Sequence, residues 1–355
     1  MSEQATPPPA VTPPPDEHQR VEAAAEESAK RESSFARMMN SSVGRNLGLV
    51  IALVVLIIIG VATAGDRFAS VDNMLTILRF ASVIGVVSIG MTFVIIGGGI
   101  DLSVGAIVAL ASVWATTLAT QTMAENTHWL VMVFAALAVG TGCGVVNGTL
   151  IAYGRLAPFI ATLAMLAAAR GLAEIISERK TQIVDVREFV EFFGGSFLGI
   201  PVLIWIFALV SAVGWVLLNR TTFGRRTISV GGNSVAARLA GINVKRHTLF
   251  LYTLLGFACG IAAIMIIART TTGSSTHGLL YELDAIAAVV IGGTLLTGGR
   301  GTIVGTVFGV LIFATLTNVF TLNNLDTSSQ AVAKGVIIVL AVLLQQRVAA
   351  RNGST

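Results

Sequence analysis

The sequence predicts an all-α polytopic membrane protein of about ten transmembrane or partly re-entrant helices, with both termini cytoplasmic. Three observations predict it. Of the 355 residues, 54% are hydrophobic and only 12% charged, where a soluble domain carries about 25% charged residues. The apolar residues recur in runs near the ~20 residues that a straight span needs. The basic residues fall on alternate connections, as the positive-inside rule requires.

Residues 1–46 come first, with Pro7, Pro8, Pro9, Pro13, Pro14 and Pro15 followed by a charged, alanine-rich stretch. This composition cannot bury a core and reads as a disordered cytoplasmic tail. The apolar run 47–65 follows. It ends in Ala62-Thr63-Ala64, which has the look of a signal-cleavage site. A secretory signal needs a short positive leader, and the residues ahead of it are mostly polar and acidic, so the run reads as an anchor helix. Further spans are predicted at 80–97, 103–121, 129–153, 157–176, 200–218, 248–268, 283–297, 301–321 and 330–346. The 283–297 piece is short and glycine-broken, which makes it tilted, broken or re-entrant. The membrane domain is then 47–347, and 348–355 is a short cytoplasmic tail.

With the N-terminus inside, Arg155, the basic stretch 219–247, Arg300, Arg347 and Arg351 all fall on one side, against the single acid Asp101. The other side carries Asp66, Asp72, Glu188 and Glu191 among a majority of acids. Net charge is +4, too little to point to nucleic acid. Cys143 and Cys259 lie within apolar runs, where cysteine is a small buried hydrophobe. Without C-x-x-C or clustered histidines, no metal, cofactor or disulfide is expected.

Two glycine-rich turns resemble each other at an offset of 200 residues, GGGIDLSVG at 97–105 and TGGRGTIVG at 297–305. They are readable as an internal repeat in parallel orientation. The first places Asp101 and Ser103 between spans. An acid there faces protein or a wet path, or caps the next helix. Small residues at helical spacing (Gly140 and Gly144, Gly256 and Gly260) predict close helix packing. Arg170 and Glu174, four apart, predict an internal ion pair.

The stretch Asn219–His247 holds basic residues and no acid. Within it Asn233 is a good N-cap and Gly241 a good C′ residue for a two-turn helix from Ser234. Val235 and Leu239 share one face, Arg238 points elsewhere, and Ile242 lies beyond the end. A capped helix with an apolar knob suits a grip by another protein; the alternative is a solvated basic loop that touches anionic lipid.

Here a resemblance becomes specific. GGNSVAARLAGINV, preceded by FGRR, resembles the coupling loop of ribose/xylose/arabinose-type ABC importer permeases. GMTFVIIGGGIDLSVG at 90–105, NGTLIAYGRLAPFIATLAMLAAARG at 147–171, YELDAIAAVVIGGTLLTGGRGTIVGT at 281–306 and QAVAKGVIIVLAVLL at 330–344 agree with it in order. The resemblance implies a permease subunit that pairs with a second permease, identical or sister, and docks ATPase subunits through Asn233, Val235, Arg238, Leu239, Gly241 and Ile242. It implies a periplasmic or lipoprotein sugar-binding protein that delivers a monosaccharide. The chain has no G-x-x-x-x-G-K-[ST], so nucleotide is bound elsewhere, and it is not expected to be an enzyme.

A sugar pathway needs donors and acceptors in a wet cavity with an occasional ring. The candidates are Asp101, Ser103, Asn147, Phe159, Thr162, Glu282, Asp284 and Thr294. Asn147 also suits interhelical hydrogen bonding, and Glu282 and Asp284 suit the outer interface. Competing readings are a permease for polyols or branched-chain amino acids and a secondary transporter. The latter needs a central acid, and Asp101 lies near a predicted span end.

Overall fold

The structure is a computed structural model that describes residues 42–352 of the chain. The tail predicted over 1–46 lies, up to residue 41, outside the described residues, as do residues 353–355.

Apolar sequence with few breakers makes long helices. These are α1 (Ser42–Ala64), the short α2 (Asp66–Ala69), α3 (Val71–Ile96), α4 (Val104–Ala115), α5 (Leu118–Asn126), α6 (Leu130–Ala152) and α7 (Pro158–Ile176). After α8 (Arg187–Gly194) come α9 (Val202–Arg220), α10 (Thr222–Gly232), α11 (Ser234–Leu239), α12 (Val244–Thr270), α13 (Tyr281–Ile291), α14 (Ile303–Leu322) and α15 (Thr327–Asn352). Among the described residues, paired strands are limited to two small antiparallel pairs. Gln182–Ile183 pairs with Thr272–Gly273, and Ser196–Phe197 with Ile200–Pro201.

Local chemistry sets the ends. The Ser70 side chain accepts from the Asn73 N–H at the start of α3, and the run Gly97–Gly99 stops it, with Gly98 at φ +83°. Pro158 occupies the first turn of α7, where its missing N–H is not needed. Asn243 and Thr302 cap α12 and α14 through the N–H groups of Arg246 and Gly305.

Among the described residues, seven helices are long and apolar enough to cross a membrane, or eight if the bent pair α4–α5 is one span. The sequence reading of ten differs at three places. The stretch 103–121 is not one span: α4 and α5 meet at 53°. Thr117 starts α5 afresh, its side chain accepting from the Thr120 N–H, while Thr116 Oγ1 donates to Gln182 Oε1 at 2.7 Å. The stretch 283–297 is helical only to Ile291 and turns at Gly292–Gly293. The last, 330–346, falls in α15, whose side chains are described only in part.

The core lies around α12, which packs on α3, α4 and α6. α4 is buried all round apart from Trp114, the mark of a helix enclosed by others. α12 meets α6 through facing glycines. A methyl on Gly140 would lie 2.5 Å from the Gly256 carbonyl oxygen, and one on Gly260 would lie 2.8 Å from that of Ala136. Close backbone approach of this kind is how bundles hold together without a hydrophobic force between helices in lipid. Cys143 and Cys259 are both unpaired, on α6 and α12.

Candidate functional site

The predicted capped helix exists. Asn233 Oδ1 accepts from the N–H groups of Val235 and Ala236 at 3.0 and 2.9 Å. At the other end Gly241 has φ +84°. The Gly241 N–H donates to the Arg238 carbonyl, and the Ile242 N–H to that of Ala237, at 3.0 Å each. This is a Schellman closure, which satisfies the last carbonyls of a helix too short to stand alone. Ala237 is buried against the bundle, while Val235 is 64% and Leu239 84% exposed. The two form an unpartnered apolar knob, with Arg238 also exposed.

The rest of the basic stretch was not foreseen as helix. α10 starts where the Thr221 side chain accepts from the Gly224 N–H, and it buries Thr227 and Val230. Phe223, Thr227 and Val230 fall at helical spacing, a signal that Gly224 and the closing Gly231-Gly232 disguise by lowering helix propensity.

These two glycines tie the knob to the rest of the molecule. A methyl on Gly231 would strike the Ile96 carbonyl oxygen and lie 2.7 Å from the Gly299 nitrogen. The positive φ of Gly98, Gly298 and Gly299, open to glycine without strain, lets the look-alike stretches 97–105 and 297–305 meet there. Asn233 follows one residue later. Beside this junction lies a cavity of about 530 Å³, lined by Gly98, Asn233, Ser234, Tyr252 and Thr297 among others.

Of the predicted pathway residues, three come together. Asp101, Ser103 and Asn147 are buried. Asp101 Oδ1 accepts from the Ser103 N–H at 2.8 Å and the Ser103 hydroxyl at 2.5 Å. Asn147 Nδ2 donates to Asp101 Oδ2 at 3.2 Å and to Ser103 Oγ at 2.9 Å. Tyr252 reaches the same turn, its hydroxyl donating to the Ile100 carbonyl. The turn before α4 is thereby fastened to α6 and α12.

The others are dispersed. Thr162 is buried and donates to the Pro158 carbonyl, while Phe159 beside it is exposed. Asp284 is buried on α13 and pairs with Lys334 of α15 at 3.4 Å, and the Lys334 ammonium lies over the Phe313 ring. Glu282 stands against Gly105, where its Oε2 would be 2.7 Å from an added methyl. Thr294 is buried in the turn after α13, outside the helix.

One expected pair is not formed. Arg170 does not bond Glu174, which pairs with Arg179 at 3.2 Å. The Arg170 guanidinium instead donates to the carbonyls of Ser275 and His277. His277 Nδ1 lies 3.1 Å from the Ser112 hydroxyl. Burial first, then the charges of Arg269 and Arg170, pull the His277 imidazole down to about 4.

A bundle of long apolar helices, interrupted by glycine-rich turns that abut an exposed apolar knob, fits a membrane transport subunit. The chain belongs to the family described as branched-chain amino acid transport system / permease component, matched over residues 73–344. It is therefore a permease, not an enzyme, and a multi-pass protein of the inner membrane. It is 40% identical over 302 residues to the ribose import permease protein RbsC of Escherichia coli K12, covering 84% of this chain and 92% of that one. It is 41% identical over 313 residues to RbsC of Bacillus subtilis 168, covering 88% and 96%. It is 38% identical over 300 residues to the L-arabinose ABC transporter permease protein AraH of Azospirillum brasilense, covering 84% and 87%. No solved structure matches the chain significantly.

Proposed function

We propose that this chain is the membrane permease of an ATP-driven importer that passes a monosaccharide, with a ribose-like pentose the first choice. The observation that carries the reading is the exposed Val235–Leu239 knob, on a helix capped at both ends and separated from the glycine junction by Asn233 alone. The likeness to ribose import permeases sets the substrate class. A separate ATPase grips Val235 and Leu239, with Arg238 and Ile242 at the rim. Closure of the ATPases moves the knob, and the junction carries the movement to the turns at Asp101 and Thr294. Such a shift requires that the ATPases bind the two permease states differently.

The finer organisation belongs to the same proposal. Ten segments enter the membrane, α4–α5 and α13 as broken or re-entrant ones, and both termini are cytoplasmic. A second copy of the chain forms the other half of the pathway, lipid surrounds the pair, and a sugar-binding protein docks outside. Asp101, Ser103 and Asn147 hold the shape of the turn that borders the path. Phe159, Thr162, Glu282, Asp284 and Thr294 are its further polar and aromatic groups.

The family description names branched-chain amino acids. An amino acid needs charged partners at both ends, yet Arg170 is engaged by two carbonyls and Lys334 by Asp284. An uncharged sugar fits this interior better.

The test is uptake of labelled ribose, arabinose, xylose, galactose and fructose by cells lacking this gene. They are complemented with the wild type or with Leu239→Asp at matched expression. Uptake of one sugar with the wild type alone supports both the importer and the knob. Equal uptake with both versions removes the knob from the coupling and favours an ion-driven carrier.

A further inference from the structure

Two neighbouring pockets lie along α12, one walled by α9 and the other by α10, and as the two halves of one groove they differ in chemistry. One half is apolar, with a volume of about 240 Å³, lined by Val213, Leu217, Leu254 and Phe257 over a floor of Gly90 and Phe93. The other lies at the N-terminal end of α12, with a volume of about 400 Å³. Its wall includes Phe223, Arg226, Arg246, His247 and Phe250 and contains no carboxylate.

Aromatic side chains join the halves: Phe93 and Phe223 are 6.0 Å apart and Phe223 and His247 4.8 Å, centroid to centroid. Phe250, Leu254, Phe257 and Ile261 follow one another on one face of α12. The 11 residue steps along that face (261 − 250 = 11) rise by about 16 Å, roughly half the ~30 Å hydrocarbon layer. Phe250, Phe257 and Val213 are exposed, so the groove opens on the lateral surface of the bundle. The Arg226 and Arg246 side chains are exposed as well, and Arg246 lies over the Phe250 ring at 5.4 Å.

We propose that this groove holds one anionic phospholipid, its phosphate between Arg226 and Arg246 and one acyl chain along the Leu254–Phe257 face. Each half requires a different part of the molecule. Two arginines without an acid call for an anion, and the apolar half calls for a chain about half a bilayer long. A soluble phosphate accounts for the first only. A second copy docked symmetrically over this groove would bring its own 219–247 stretch, which has no Asp or Glu, and would set arginine against arginine. With the loop cytoplasmic, as proposed above, the lipid belongs to the inner leaflet.

Native mass spectrometry of the purified full-length protein in detergent tests this, with phosphatidylglycerol, phosphatidylcholine of the same chains, and inorganic phosphate as probes. The wild type is expected to retain phosphatidylglycerol and to release phosphatidylcholine. Arg226→Gln with Arg246→Gln is expected to weaken phosphatidylglycerol about thirtyfold, at about fivefold for each basic residue. Val213→Trp fills the apolar half from an exposed position and is expected to weaken it too. Elution and melting temperature identify any variant that fails to fold, and the other variant then carries the test. Equal retention of the two lipids overturns the proposal, as does undiminished phosphatidylglycerol in the double variant. Displacement by inorganic phosphate reduces the groove to a headgroup site and also overturns it. So does disulfide crosslinking of two copies through Val213→Cys without retained lipid.

Discussion

The backbone N–H of Gly299 donates to the Ile96 carbonyl oxygen at 2.8 Å. This bond ties the end of α3, where the first glycine-rich turn begins, to the second such turn, which the sequence sets 200 residues on. Gly231 is pressed against both of its atoms, so the end of α10 cannot shift without disturbing the turn on either side.

Gly231→Ala is therefore expected to strain the junction and to destabilise the protein by about 1–3 kcal/mol, the usual cost of overpacking. Gly232→Ala is the control, because a methyl there meets nothing within 4 Å. Thermal unfolding in detergent gives the comparison. ATP-driven uptake is expected to fall with the first variant and to hold with the second.

Among the described residues, Asn147 supplies the side-chain donor to Asp101 Oδ2. Asn147→Leu removes it and leaves a buried acceptor unmet, at a cost of about 1–3 kcal/mol. Asp101→Ala in the same background is expected to cost less than it does alone, because each residue then has less to lose. A double-mutant cycle on melting temperature measures the coupling, and simple additivity would count against the cluster acting as a unit.

Asn233→Ala is expected to cost about 1 kcal/mol through the lost cap. The loss falls on a helix of only six residues, so the knob frays. Uptake should drop while the bundle keeps its melting temperature. Asn233→Asp keeps an acceptor for the same two N–H groups and is expected to restore coupling.

His277 gives a pH dependence of definite sign. Its imidazole falls from the ordinary 6.5 to about 4 in the folded protein, so folding favours the neutral ring. The Ser112 hydroxyl donates to the Ala109 carbonyl and is left to accept from His277 Nδ1–H. The stability from this arrangement is complete above pH 6.5 and is lost as pH falls towards about 4. Melting temperatures across that window should slope for the wild type, and His277→Gln should flatten the slope.

The parts that were legible in the sequence are those whose chemistry is local. Asn233 and Gly241 announce a helix because caps act over three residues. The glycines of α6 and α12 announce close packing because small residues recur at helical spacing. Partnerships across the fold were not legible. Nothing near Asp101 names Asn147, 46 residues on (147 − 101 = 46), and Arg170 has an acid at ideal spacing yet bonds a distant loop. The break at Thr116–Thr117 was hidden for a further reason. Both residues sit unremarked in an apolar run, and the Thr116 hydroxyl reaches outside its own helix to the distant Gln182. α10 was hidden by the glycines that its close contacts require.

The contact between α6 and α12 has a consequence for how this protein can change over generations. At Gly140 against Gly256, each side already carries the smallest residue available. A larger residue on one helix cannot be answered by a smaller one opposite, because none exists. A lineage that acquires Ala at Gly256 has only two ways back: reversion, or changes elsewhere that let the helices part. A selection for suppressors of Gly256→Ala should accordingly return no substitution at Gly140, and the pair should persist through drift as a fixed point.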